Sequence, residues 1–387
     1  MSPVEPAAPA APPGPTRSVE AAGRTTLDDL VAERSIIVCC GSGGVGKTTT
    51  AAVVALEGAR LGRKTVVVTI DPARRLADAL GLEGIADSPT RIEGDWPGEL
   101  WATMLDARST FDSLVAKHAA TPEQGERILA NTFYRNISGA LSGTQEYMAM
   151  EKLYELHEEG RYDLIVLDTP PSRNALDFLD APERLARFID SRSLQFFLAP
   201  GRRGIRILGR GTGLLFGALK RVTGIDLLQD LSEFFQSFGS MAGDFNERAN
   251  RVNQLLTSDS ATFLLVTSPQ RASIEEAEHF RRRLREDRMP FGGAVVNRVH
   301  ELGLAEPAAD RAVLERELTG MVGDGLARKI ARNLDDYLAL ARHDADSVAQ
   351  LRERLGPHER LVLVPYLDED VHDLEGLARL GEHLFAR

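Results

Sequence analysis

The sequence predicts an α/β fold: a doubly wound, mostly parallel sheet carrying a helical insertion or lid subdomain. Three observations predict it. Seven short runs of apolar, often β-branched residues recur along the chain, the pattern of strands buried on both faces. Helical patterns separate these runs, and strands that alternate with helices form a parallel sheet covered on both sides. A glycine-rich turn, Gly41 to Gly46, joins the first strand to the first long helix.

In chain order, six prolines fall within the first fifteen positions. They mark residues 1–24 as a disordered Pro/Ala-rich tail without the charged-then-apolar order of a signal peptide. The first strand is Ile36 to Cys40. After it comes G-x-x-x-x-G-K-T from Gly41 to Thr48, the spacing of a phosphate-binding P-loop. Such a loop needs glycines because only a residue without Cβ turns freely into φ > 0. Its successive N–H groups and a helix N-terminus then face one anion. Lys47 is placed to reach β- and γ-phosphates, and the Thr48 hydroxyl to ligate Mg²⁺. The helix runs Thr49 to Leu61, small on its packed side (Ala51, Ala52, Ala55, Ala59), with Gly62 as its stop.

The second strand, Thr65 to Ile70, leads into Asp71-Pro72, an N-cap followed by proline at the first helical position. Leu100 to Leu105 is a short strand, and Leu164 to Asp168 ends in an acid ahead of the breaker Thr169-Pro170-Pro171. Phe263 to Thr267, Ala294 to Asn297 and Leu361 to Val364 complete the set. Ligands of such sheets lie at the carboxyl ends of strands. Gly41, Asp71, Asp168, Asn297 and Pro365 all fall there. Residues 25–387 read as one domain with helical insertions at about 105–160, 181–250 and 302–355.

Composition bounds the partners. A net charge of −11 argues against binding nucleic acid through the general surface, so none is expected. Only Cys39 and Cys40 occur, both in the core strand, which excludes a disulfide framework and points to a reducing cytoplasm. No run of about eighteen apolar residues occurs, the length a membrane-spanning helix needs. One stretch reverses the chain's charge. Ser191 to Ile225 has no acid, several arginines, five glycines between Gly201 and Gly213, and the apolar residues Ile205, Ile207, Leu208, Leu214, Leu215 and Phe216. It reads either as a solvated insertion or as a basic, apolar lid that meets a membrane surface or an apolar client.

Taken together, these motifs resemble the ArsA-type ATPases, the arsenite-pump and tail-anchored-protein-targeting ATPases of the deviant Walker A branch of P-loop NTPases. GSGGVGKTT (Gly41–Thr49) resembles their P-loop, DPARRLAD (Asp71–Asp78) their switch I, and LDTPPSRNALDFL (Leu167–Leu179) their switch II. GTQEYMAMEKLYEL (Gly143–Leu156) resembles a helix entry after switch I. VVNRV (Val295–Val299) and VPYLDEDVHDLEGL (Val364–Leu377) resemble the adenine-side strand and loop. MinD/ParA relatives share the P-loop and DTPP but not the middle helix entry or the C-terminal pattern. The match runs in order from Ile36 to Leu377.

The resemblance implies ATP hydrolysis with Mg²⁺. ATP would be held by Gly41, Ser42, Gly43, Gly44, Val45, Gly46, Lys47, Thr48 and Thr49, with Asn297 on adenine and the backbone near Pro365 to Leu367 beside it. Thr48 and Asp168 would hold the metal. Lys47 and Asp71 would be catalytic, Asp71 by orienting or deprotonating the attacking water. It also implies a dimer, homomeric or with a paralogous ATPase chain, in the cytoplasm or peripheral at the membrane. Three departures stand out. Ser42 occupies the place of the family's signature lysine, which in relatives reaches the partner's nucleotide. No C-x-x-C pair exists, so neither an intersubunit zinc nor arsenite on thiolates is expected. Arg173-Asn174 replaces the Gly-His of switch II. Three readings remain open at this point: a switch ATPase coupled to a client or membrane partner, an ATP-binding regulatory subunit with weak activity alone, and a ParA/MinD-like positioning ATPase.

Overall fold

The computed structural model describes residues 26–70, 75–82, 84–119, 121–131, 144–169, 242–301 and 311–386. At its centre lie the strands the hydrophobic runs predict. They are β1 (Ile36–Cys40), β2 (Lys64–Thr69), β4 (Glu99–Met104), β5 (Leu164–Asp168), β6 (Ala261–Thr267), β7 (Phe291–Val299) and β8 (Leu361–Pro365). An eighth, β3 (Thr90–Ile92), pairs antiparallel with β4 at the sheet's edge. The order is β3-β4-β2-β5-β1-β6-β7-β8, and every other pairing is parallel.

β1 is buried along its whole length, and alternate residues serve opposite layers. Ile36, Val38 and Cys40 join one apolar core, which contains side chains of α6 (Thr144–Glu158), α7 (Ala242–Leu256), α8 (Arg271–Glu286) and α10 (Asp324–Leu355). Ile37 and Cys39 join the other, with α1 (Asp28–Glu33), α2 (Lys47–Arg60) and α11 (Leu374–Leu384). Two-sided cover explains why the strands read as continuous apolar runs rather than alternating ones. The α2 sequence Ala51-Ala52-Val53-Val54-Ala55 is buried outright, since small side chains let a helix seat closely on the sheet.

Local chemistry sets several boundaries. Asp106 caps α4 (Ala107–His118) by accepting from Arg108 and Ser109 N–H groups. Thr121 caps α5 (Pro122–Ala130), with proline at its start. Asp373 caps α11 through the Gly376 N–H. The short α3 (Arg75–Ala79) follows β2, and α9 (Arg311–Val322) forms a helical hairpin with α10 that turns at Gly323. No described helix is long and apolar enough to cross a membrane.

Candidate functional site: a phosphate loop facing a carboxylate and a bulged strand

β1 and β5 are in parallel register, pairing Cys39 with Asp168. The turn after β1 and the acid ending β5 therefore arrive at one edge of the sheet. Gly46 caps α2 in the left-handed region, φ 97°, ψ 23°, so the helix starts directly from the loop. Its first N–H groups have no intrahelical acceptor and face the opening, where the helix dipole adds positive potential.

Lys47 is buried, 6% exposed, and its Nζ donates to the Ser42 carbonyl at 2.8 Å. Burial lowers its pKa; Asp168 nearby opposes that shift, and Glu276 does so more weakly. The Thr48 Oγ1 donates to Asp168 Oδ2 at 2.8 Å, and the Thr69 Oγ1 donates to the same oxygen at 2.9 Å. Asp168 itself is wholly buried. A carboxylate at a strand end, met by two hydroxyls and a buried ammonium, is an arrangement that serves a hard cation and a polyphosphate. The adjoining thiols take no part as anions, because burial pushes both Cys39 and Cys40 up.

A cavity of about 550 Å³ opens over this loop, within the usual size of small-molecule sites. Lys47, Thr48, Thr49 and Thr169 line its phosphate end, and Asn297, Arg298, Pro365 and Tyr366 the other. Asn297 Nδ2 donates to the Val45 carbonyl at 2.9 Å. Arg298 Nη1 donates to the Gly44 carbonyl at 3.2 Å. Tyr366 is 59% exposed, and one ring face stacks on His300 at 5.3 Å. His300 in turn bonds Asp344 of α10 through Nδ1 at 2.7 Å.

The structure thus brings the loop Gly41 to Thr49 together with Asp168, Asn297 and Pro365. Asp71 lies outside the described residues, as do Arg173, Asn174 and the 191–225 segment. Sequence reasoning passed over Arg298, Thr69 and Glu276. Two of them had a signal. A polar pair, Asn297-Arg298, interrupts an otherwise apolar strand, and Thr69 is the last residue of β2, two positions before the predicted acid Asp71.

A sequence model of the anion-transporting ATPases matches residues 34–315. The chain belongs to this ArsA-type ATPase family. It is therefore a P-loop ATPase. Among curated relatives, the ATPase GET3 of Malassezia globosa is 29% identical over 174 residues, which are 44% of this chain and 50% of that protein. The ATPase ASNA1 homolog 1 of Paramecium tetraurelia is 26% identical over 279 residues, 71% of this chain and 78% of its own. The ATPase get3 of Aspergillus terreus is 26% identical over 281 residues, with 71% and 76% covered. Within the ArsA-type family, the match takes in the phosphate loop, Asp168 and Asn297 but stops short of Pro365.

Proposed function

We propose that the chain is a Mg-ATP-driven switch that works as a dimer and couples its nucleotide state to a client or a membrane partner. The observation that carries this reading is the Thr48 hydroxyl bonded at 2.8 Å to the buried Asp168, directly beside Lys47 and the open N-terminus of α2. These residues fit magnesium, an oxygen-seeking ion that takes few protein ligands and completes its shell with water and phosphate. Thr48 would bind it directly and Asp168 through its water shell. The ion, when bound, neutralises charge on the β- and γ-oxygens.

The chain's own residues do the rest. The backbone N–H groups of the loop hold the β-phosphate, and Lys47 exchanges the Ser42 carbonyl for phosphate oxygens. That exchange would replace a bond to a neutral carbonyl with a charge-assisted one to phosphate. Asp71 orients the attacking water, a role taken from the family resemblance. Steady-state ATP hydrolysis with and without chelator, alongside light scattering with a non-hydrolysable analogue, tests the reading. Metal-dependent turnover and an analogue-dependent change in mass are expected. Turnover indifferent to chelator would sink it.

A second reading, a regulatory ATP-binding subunit, is favoured by Ser42. Its hydroxyl oxygen is shielded from solvent and bonds nothing among the described residues, and it carries no charge toward a neighbouring nucleotide. Slow turnover alone, stimulated by a paralogous chain, would select this reading.

A further inference from the structure

The pairing of β7 with β8 slips by one residue. Val296 faces Leu363, yet Val299 faces Pro365, so β7 holds one residue more than its partner between those points. Asn297 and Arg298 occupy that bulge. Arg298 is one of two non-glycine residues with positive φ among the described residues, at 64°. A left-handed arginine crowds its Cβ against the following carbonyl, and such strain persists only where surrounding contacts hold it. Bulges beside functional sites re-aim side chains, and this one aims two of them at the same target. The side chains of Asn297 and Arg298 donate to successive carbonyls of the phosphate loop, Val45 and Gly44. Asn297 Oδ1 accepts from the Arg298 N–H at 2.9 Å and so fixes the turn between them.

We propose that this bulge is a latch on the phosphate loop and that Arg298 is a positioning residue for nucleotide binding. A phosphate nest works only if its N–H groups converge on the anion, which requires the carbonyls to point the other way. Donors on the Gly44 and Val45 carbonyls hold that orientation before any nucleotide arrives. The ordering entropy of the loop is then met during folding rather than at binding. Gly46 makes the approach possible, because a Cβ there would lie 2.2 Å from Asn297 Nδ2. The latch acts on the loop and not on the γ-phosphate, so it supports any nucleotide with a β-phosphate. The proposal deepens the ATP-binding reading and rests on it.

Two measurements on Arg298→Ala, Arg298→Lys and the wild type test it. The first is hydrogen exchange across residues 41–48 in nucleotide-free protein. Arg298→Ala should exchange faster there, and Arg298→Lys, which keeps a donor, should return toward wild type. The second is calorimetric affinity. ATP and ADP should both weaken about tenfold in Arg298→Ala, the scale of one lost charge-assisted bond, with the loss entering KM rather than kcat. Unchanged exchange, or faster exchange with undiminished ADP affinity, overturns the latch. Weakened ATP with unchanged ADP also overturns it, since that pattern assigns Arg298 to the γ-phosphate. Wild-type protein that binds neither nucleotide would refute the ATP reading instead, and the exchange result would still judge the latch.

Discussion

Two glycines of one loop should fail to very different degrees when each is changed to alanine. Both hold left-handed backbone, φ 144° at Gly41 and 97° at Gly46, so each substitution starts from a strain of about 1–2 kcal/mol. What a new Cβ would meet then separates them. At Gly46 it would lie 2.2 Å from Asn297 Nδ2, the end of a rotatable side chain. Asn297 can swing away and lose its bond to Val45, adding about 0.5–1.5 kcal/mol. At Gly41 it would lie 1.9 Å from the Val266 carbonyl oxygen. That atom belongs to β6, a strand hydrogen-bonded on both sides, so relief requires moving backbone in the middle of the sheet. Overpacking of this kind adds about 1–3 kcal/mol or more, out of a total stability of about 5–15 kcal/mol. Gly41→Ala should therefore unfold at distinctly lower urea than Gly46→Ala, by roughly 1 kcal/mol or more from these same terms. Urea titrations without nucleotide measure this directly. Equal midpoints, or a more stable Gly41→Ala, would refute the reasoning from close approach.

Lys47→Ala should weaken ATP by about tenfold to a hundredfold, the scale of a lost charged donor, measured by calorimetry. Because burial lowers the Lys47 pKa and its charged form binds phosphate, wild-type affinity should fall at alkaline pH before the ordinary lysine range. Lys47→Arg, which does not titrate there, should show no such fall. Asp168→Ala removes the acceptor of both the Thr48 and Thr69 hydroxyls. It should lower thermal stability through the loss of these two hydrogen bonds, about 0.5–1.5 kcal/mol each, and should blunt the magnesium dependence of turnover. Burial raises the Glu276 pKa, against the pull of Lys47. Glu276→Gln deletes a negative charge near incoming phosphates and should tighten ATP severalfold, so weaker binding would reject that electrostatic picture. Asp71→Asn should still bind Mg-ATP but lose turnover, and full single-turnover activity would leave Asp71 only the helix-capping role that the Asp-Pro sequence suggests.

The central strands were legible because burial on both faces leaves a strong, unbroken apolar signal, and Leu164–Asp168 was located to the residue. β3 was not read. Three residues at a sheet edge, mostly exposed, carry neither alternation nor an apolar run. β7 was read as Ala294 to Asn297 but runs from Phe291 to Val299. Gly292-Gly293 reads as a turn, and Asn297-Arg298 reads as the strand's end. Both are polar or small interruptions that the sheet absorbs, the second by bulging. The phosphate loop was legible because its chemistry is local, fixed by eight consecutive residues. The latch was not, because its two hydrogen bonds join residues more than 250 positions apart.

That separation matters for how the site responds as a whole. β1 stands where the strand order turns, with β5, β2 and β4 on one side and β6, β7 and β8 on the other, the place where ligands settle in such sheets. The phosphate half of the cavity depends on β1, β2 and β5 through Lys47, Thr69 and Asp168. The opposite half depends on β7 and β8 through Asn297, Arg298 and Tyr366. Within β7 the bulge donates to the phosphate loop, and one residue later the Val299 carbonyl accepts from the Tyr366 N–H at 2.9 Å. A ligand pressing on Tyr366 therefore acts on the same short piece of backbone that sets the loop's carbonyls. Tyr366 also stacks on His300, which Asp344 ties to the 32-residue helix α10. Movement at Tyr366 thus reaches the phosphate loop through the hydrogen bonds of β7 and the helical hairpin through the ring stack on His300.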